Sequence, residues 1–101
     1  MDATPDSAAC QARLIPMLRA LANPTRFQVV EMLAKRQLCR TNQILAVTGL
    51  AQSTVSQHMK VLVRAGLIYG TRHGAATCYQ VDIAAILWLK RQFQLWLHDC
   101  C

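Results

Sequence analysis

LAQSTVSQHMKVLVRAGL, residues Leu50–Leu67, decides how the rest of the chain is read. The stretch predicts a helix of about fourteen residues. Val55, Met59 and Leu62 recur at i, i+4 and i+7 and so share one face. Ser53, Gln57, Lys60 and Arg64 fall on the opposite face, with Thr54 and Ser56 on the flanks. Gly66 follows the last periodic residue and suits a left-handed C-terminal cap. One face is committed to a core. The other offers amides, hydroxyls and positive charge, the groups that read base edges and phosphates. Taken alone, such a face is equally that of an ordinary solvated amphipathic helix, so its flanks matter.

Upstream, Thr41 is a good N-cap for a short helix, Asn42–Thr48, with Ile44, Leu45 and Val47 apolar and Gly49 at its end. Two helices joined by a tight Gly-containing turn, the second polar outside, are the signature of a helix-turn-helix. Downstream the period changes. Leu67-Ile68-Tyr69 reads as a strand, Arg72-His73-Gly74-Ala75 as a turn and Thr77–Val81 as the returning strand. A hairpin placed there is a wing, and its tip carries Arg72 and His73, suited to a phosphate backbone or minor groove. A solvated turn is the alternative for both residues.

Working outward again, Asp6 or Ser7 can cap a first helix running to about Leu21. Pro16 lies inside it and predicts a kink or two short helices. Asn23 then caps, and Pro24 opens, a second helix to about Ala34. Phe27, Val30 and Ala34 form its stripe, widened by Val29, Met32 and Leu33. The last helix, Asp82–Asp99, begins with an acid at its positive end. Its run Ile83–Leu89 is apolar on every side, and Phe93, Leu95, Trp96 and Leu97 extend it. A helix apolar all round needs a second covering surface. A two-fold dimer through the first and last helices is the simplest cover. The expectation is a mainly α protein with a small β-hairpin: one winged helix-turn-helix domain over residues 1–101. Within it, residues 1–6 form a disordered tail, 41–66 the helix-turn-helix, 67–81 the wing and 82–99 the dimerisation helix.

Composition agrees. The chain has 101 residues, 53% of them hydrophobic and 16% charged, with a net charge of +6. From Pro24 to Gln80 seven basic residues stand against the single acid Glu31, whereas the two ends balance. The middle therefore carries the whole excess, as a segment that meets a polyanion should; simple solubility is the other use of such charge. No apolar run has the length of a membrane span, and Met1–Cys10 lacks the basic start and apolar block of a secretion signal. Five cysteines, an odd number, argue against a disulfide framework and for a reducing cytoplasm. An enzyme is disfavoured: there is no Cys-x-x-Cys, no Gly-rich phosphate loop and no paired carboxylates, and His58, His73 and His98 lie in different elements.

Leu21-Ala22-Asn23-Pro24-Thr25-Arg26, together with Gln52-Ser53-Thr54-Val55-Ser56-Gln57-His58-Met59, Leu62, Gly66 and Leu67, closely resembles the ArsR/SmtB family of small dimeric winged-helix repressors. The match runs from about Leu14 to Val81. The resemblance implies a homodimer through the first and last helices, a helix in the major groove of double-stranded operator DNA, a wing, and release of the DNA when an inducer binds, often a metal or metalloid. By position, Gln52, Ser53, Ser56 and Gln57 match residues that face DNA. Thr54, Lys60, Arg72 and His73 complete the candidate DNA-binding set. His58 matches a characteristic histidine; on the wheel it borders the core face, which favours packing over a DNA contact. Ala51 departs from the polar residue usual at that N-cap, at a cost of about 1 kcal/mol.

The family's inducer sites can be tested one by one. Where a Cys-Val-Cys site would enter the third helix, this chain has Leu38-Cys39-Arg40-Thr41, with the second cysteine missing and Asn42 in place of a carboxylate. Of an Asp/His zinc set on the last helix, Asp82 and His98 are present, but Ala84 and Leu95 fill the other places, leaving two of the four ligands zinc prefers. A reactive dithiol with a cysteine in the second helix is broken by Glu31. What remains is Cys100-Cys101, with Cys10 in the first helix as a candidate third ligand. Three thiolates suit trivalent arsenic or antimony. Frayed, unused terminal cysteines are the plain alternative, with Cys10 packing as a small hydrophobe. Cys39 is a weaker candidate, and Cys78 reads as a strand core residue. No permanent cofactor is expected. Two rivals stay open: a repressor sensing peroxide or polysulfide by thiol oxidation, and a winged-helix interaction module without an inducer.

Overall fold

The structure is a computed structural model, and it describes residues 5–36 and 39–100. Five helices and three short strands follow in the order α1 (Pro5–Leu21), α2 (Pro24–Arg36), β1 (Cys39–Arg40), α3 (Thr41–Thr48), α4 (Gln52–Arg64), β2 (Ile68–His73), β3 (Ala76–Val81) and α5 (Ile83–Cys100). The expected architecture, mainly α with a β-hairpin wing, is the observed one.

Local chemistry sets most of the boundaries. Asn23 accepts from the backbone N–H groups of Thr25 and Arg26 through Oδ1, at 2.9 and 3.1 Å, and so caps α2. Asp82 does the same for α5, accepting from the Ala85 N–H at 3.1 Å. Gly49 ends α3 at φ 67°, its N–H returning to the Leu45 carbonyl. Past α4, the Gly66 N–H bonds to the Val63 carbonyl and the Leu67 N–H to the Leu62 carbonyl. This pair of bonds is a Schellman closure, and Gly66 supplies its left-handed residue at φ 80°.

Several expectations need correction. Helix α1 starts at Pro5, ahead of the proposed Asp6 or Ser7 cap, so residues 5 and 6 of the expected tail are helical; residues 1–4 lie outside the described residues. Pro16 sits inside one uninterrupted helix rather than between two. Helix α2 reaches Arg36, and its core face is Val29, Val30, Met32 and Leu33, while Phe27 is half exposed and Ala34 is exposed. Thr41 lies within α3, whose N-cap is Arg40. Arginine has no acceptor to offer; instead Oε1 of Gln43 accepts from the Arg40 N–H at 2.8 Å. The hairpin is longer than expected. Arg72 pairs with Thr77 and His73 with Ala76, so both belong to β2 and the turn is Gly74-Ala75 alone. Gly74 takes φ 63°, the conformation glycine supplies at the first position of a two-residue hairpin loop.

The strand β1 went unforeseen. It pairs antiparallel with β3, Cys39 opposite Tyr79 and Arg40 opposite Cys78, giving a sheet of order β1-β3-β2. Two residues cannot show a period, so their strand character comes only from a partner far along the chain.

One core serves the five helices and the hairpin. It joins Met17 and Ala20 of α1 to Val29 and Leu33 of α2, Ile44 of α3, Val55, Met59 and Leu62 of α4, and Leu67, Ile68 and Val81 around the sheet. Ala85 and Leu89 of α5 complete it. Cys78 is buried, as its strand position suggested. No polar or charged side chain among the described residues is buried. Helix α5 runs past this core: beyond Leu89 none of its described side chains is buried. The Cα radius of gyration, 15.3 Å, accordingly exceeds the ~13 Å of a compact chain of 100 residues.

Candidate nucleic-acid interface

Helix α4 is divided as its sequence pattern requires. Val55, Met59 and Leu62 are at most 2% exposed. Gln52, Ser53, Thr54, Gln57 and Lys60 are exposed, and Ser56 is half-buried on the flank. The core side anchors the helix, and the outer side presents two amides, three hydroxyls and an ammonium. Ala51 is the N-cap and makes no side-chain cap bond, so the first N–H groups of α4 point outward without a side-chain acceptor. Such donors suit an anionic oxygen.

Short α3 precedes α4 and is fixed by buried Ile44, with Gly49 making the turn between the two. The wing lies on the other side. Arg72 and His73 are both exposed on β2, at the strand end next to the turn. The candidate DNA-binding residues therefore lie on two exposed elements, α4 and the wing, separated in sequence only by Ala65-Gly66-Leu67. Exposed Lys35, Arg36, Arg40 and Arg64 add charge from the neighbouring segments.

Two further side chains meet beneath the exposed face of α4. His58 is half-buried, and its Nδ1 lies 3.3 Å from Nη1 of Arg26. The wheel position of His58 carried the signal for packing. Nothing in the sequence named Arg26 as its partner, because the two lie in different helices.

The cysteines divide differently. Cys10 is half-buried, and its Sγ donates to Oε1 of Gln92 at 3.1 Å, tying α1 to α5. One turn further along α1, the Arg13 guanidinium lies 4.2 Å from the centroid of the Trp88 ring. The two helices thus run antiparallel. Gln92 and Cys100 are eight residues apart, about 12 Å of helix. Within one chain, Cys10 thus sits beside Gln92, about two turns of α5 before Cys100. Cys101 lies outside the described residues, as do the side chains of Cys39 and Cys100. Among the described residues no cluster of three or more His, Cys, Asp or Glu could hold a metal ion, and no helix is long and apolar enough to cross a membrane.

Residues 23–69, from the α2 cap to the start of the wing, match the family model described as bacterial regulatory protein, arsR family. The HTH-type transcriptional repressor SmtB of Mycobacterium tuberculosis is 37% identical over 65 residues, which is 64% of this chain and 47% of that protein. The chain thus spans about half the length of that curated relative. The HTH-type transcriptional regulator Rv0081 of the same organism is 34% identical over 77 residues, covering 73% of this chain and 68% of that one. Among solved structures, a possible transcriptional regulator for arsenical resistance superposes with a TM-score of 0.71 at 28% identity, covering 80% of this chain and 83% of that one. A matching motif segment, a relative covered over most of its length and a shared fold agree: the chain belongs to the ArsR/SmtB family of winged-helix transcriptional regulators.

Proposed function

We propose that the chain is a homodimeric, sequence-specific repressor that places α4 in the major groove of operator DNA and its wing beside it. The observation that carries this reading is the division of α4, with three apolar residues locked in the core and Gln52, Ser53, Thr54, Gln57 and Lys60 exposed on the far side. Amides and hydroxyls at those positions can hydrogen-bond base edges, and Lys60, Arg72 and His73 can meet phosphates. The dimer is supported by α5. Ile83, Leu87, Leu95, Trp96 and Leu97 are all more than half exposed in a single chain, and that apolar surface calls for a cover. A two-fold axis would set the two α4 helices about 34 Å apart for successive major grooves.

Release of the DNA is assigned to a soft, thiol-binding inducer, trivalent arsenic or antimony, at Cys100 and Cys101 near the end of the same helix. Support comes from the adjacent thiols and from the likeness to the possible transcriptional regulator for arsenical resistance. Cys10 of the same chain is left out, because it is held beside Gln92 two turns away. The third place of a three-coordinate ion falls to a small thiol or to water. An ion bound on the dimer helix changes how the two subunits meet, and hence the spacing of the reading helices. Allosteric couplings of this kind are typically 1–3 kcal/mol, about 5- to 150-fold in affinity.

The test is a duplex selected by the protein from a random pool, then titrated with arsenite, antimonite, cadmium, zinc and peroxide. Release by arsenite or antimonite supports the full reading. Release by peroxide alone transfers the same cysteines to oxidant sensing. Failure to enrich any duplex rejects the repressor itself and leaves an interaction module.

A further inference from the structure

Arg26 joins three elements at one point. Its backbone N–H bonds to Oδ1 of Asn23, the cap of α2. Its Nε donates to the carbonyl of Ala20, one residue before the end of α1, at 2.8 Å. Its Nη1 meets Nδ1 of His58, midway along α4, at 3.3 Å. Ala20 is buried, and Arg26 and His58 are half-buried, so the contact is partly shielded from water.

The chemistry of the pair is one-sided. A guanidinium keeps its protons, so Arg26 is the donor. His58 must then accept through an unprotonated Nδ1 and carry its ring proton on Nε2. The guanidinium is also a rigid planar fork, so the direction of Nε toward α1 fixes the direction of Nη1 toward α4. The residue just before His58 is Gln57, and Thr54 lies one turn earlier; both belong to the exposed reading face. Holding the His58 ring therefore sets how far that face is rotated about the axis of α4.

We infer that Arg26 is a positioning residue for DNA reading: by bridging Ala20 and His58 it fixes the rotation of α4 relative to the end of α1. The inference rests on the operator-binding reading. In this role Arg26 acts through the protein, by the bonds of its Nε and Nη1 to Ala20 and His58. It also extends the machinery to α1, one of the two helices assigned to the dimer.

The test uses a duplex selected by the wild-type chain and the variants Arg26→Gln, His58→Leu, the double variant and His58→Asn, whose amide oxygen can stand near the place of Nδ1. Affinity is measured across a salt series. Thermal midpoints are recorded alongside, so that only folded variants are compared. Arg26→Gln and His58→Leu should each weaken binding by about 2- to 30-fold. The double variant should be no weaker than either, and His58→Asn should restore most of the loss. The salt slope should stay as in the wild type. Strictly additive losses, or no loss, overturn the inference. So does a slope that falls by about 0.9 in Arg26→Gln, which marks a direct phosphate contact. Should the variants fail to fold, the 15N shifts of the wild-type His58 ring decide: an Nε2–H tautomer is expected, and an Nδ1–H tautomer overturns the pairing. A wild-type chain that selects no duplex overturns the operator reading and this inference together, whereas additivity on a selected duplex overturns this one alone.

Discussion

Sγ of Cys10 donates to Oε1 of Gln92 across 3.1 Å, and this contact fixes where α1 lies along α5. Cys10 packs between the two helices, and Cys100 lies two turns further along α5. Replacing Cys100 and Cys101 together by Ser should leave DNA affinity intact and remove release by arsenite. Cys10→Ser should retain release. Arsenite titrations of the protein–DNA complex, read by fluorescence anisotropy, check both. Release that survives the double replacement moves the inducer site elsewhere.

The exposed apolar face of α5 predicts the oligomer. Leu87 and Trp96 are 58% and 63% exposed in the single chain. Leu87→Glu and Trp96→Glu would bury charge in a subunit interface without a partner for it, a strongly destabilising change. Sedimentation velocity should show a wild-type dimer and a shift of both variants toward monomer. A wild-type chain that sediments as a monomer at all concentrations rejects the dimer.

Gly66 carries the closure between α4 and the wing at φ 80°, with open space where a Cβ would stand. The cost of a side chain there is conformational rather than steric. Gly66→Ala should lower stability by about 1–2 kcal/mol, and Gly66→Asn by less. Urea denaturation followed by circular dichroism measures the order. Gly70 presents the opposite case. Its φ is ordinary, but an added Cβ would meet Cε1 of Tyr79 at 3.0 Å. Gly70→Val should therefore disturb the wing by crowding the Tyr79 ring.

Asp82 caps α5 through Oδ1 at the junction with β3. Asp82→Ala should cost about 1 kcal/mol, and Asp82→Asn, which retains the acceptor, much less. Thermal unfolding of the two variants separates a capping role from a metal-ligand role: as a ligand, Asp82 would show zinc-dependent stability that both replacements abolish.

What could be read in advance was whatever rests on local chemistry. The 3-4 spacing of Val55, Met59 and Leu62, the Asn23-Pro24 start and the glycines at 49 and 66 each act within a turn or two of helix, and the structure keeps them all. What stayed hidden depends on distant partners. Strand β1 exists because Tyr79 and Cys78 lie alongside it. The core face of α2 turned toward Val29 and Leu33, away from Phe27, because other helices cover that side. Arg72 and His73 belong to the strand because the two residues Gly74-Ala75 suffice to reverse the chain, a loop length that periodicity does not reveal. Of the candidate site, the exposed polar face of α4 was legible because it follows the period of a single helix. The Arg26–His58 bridge was not, because it joins residues 32 positions apart.

The central claim is that the exposed side of α4 reads DNA, and its most direct measurement is a salt-series binding titration on a selected duplex and on a scrambled one, for the wild type, Gln57→Ala and Lys60→Ala. Gln57→Ala should lose about 1–3 kcal/mol on the selected duplex and little on the scrambled one. Lys60→Ala should weaken both and reduce the salt slope by about 0.9. Variants that bind both duplexes as the wild type does, or wild-type binding that neither falls with salt nor distinguishes the two, would contradict the account.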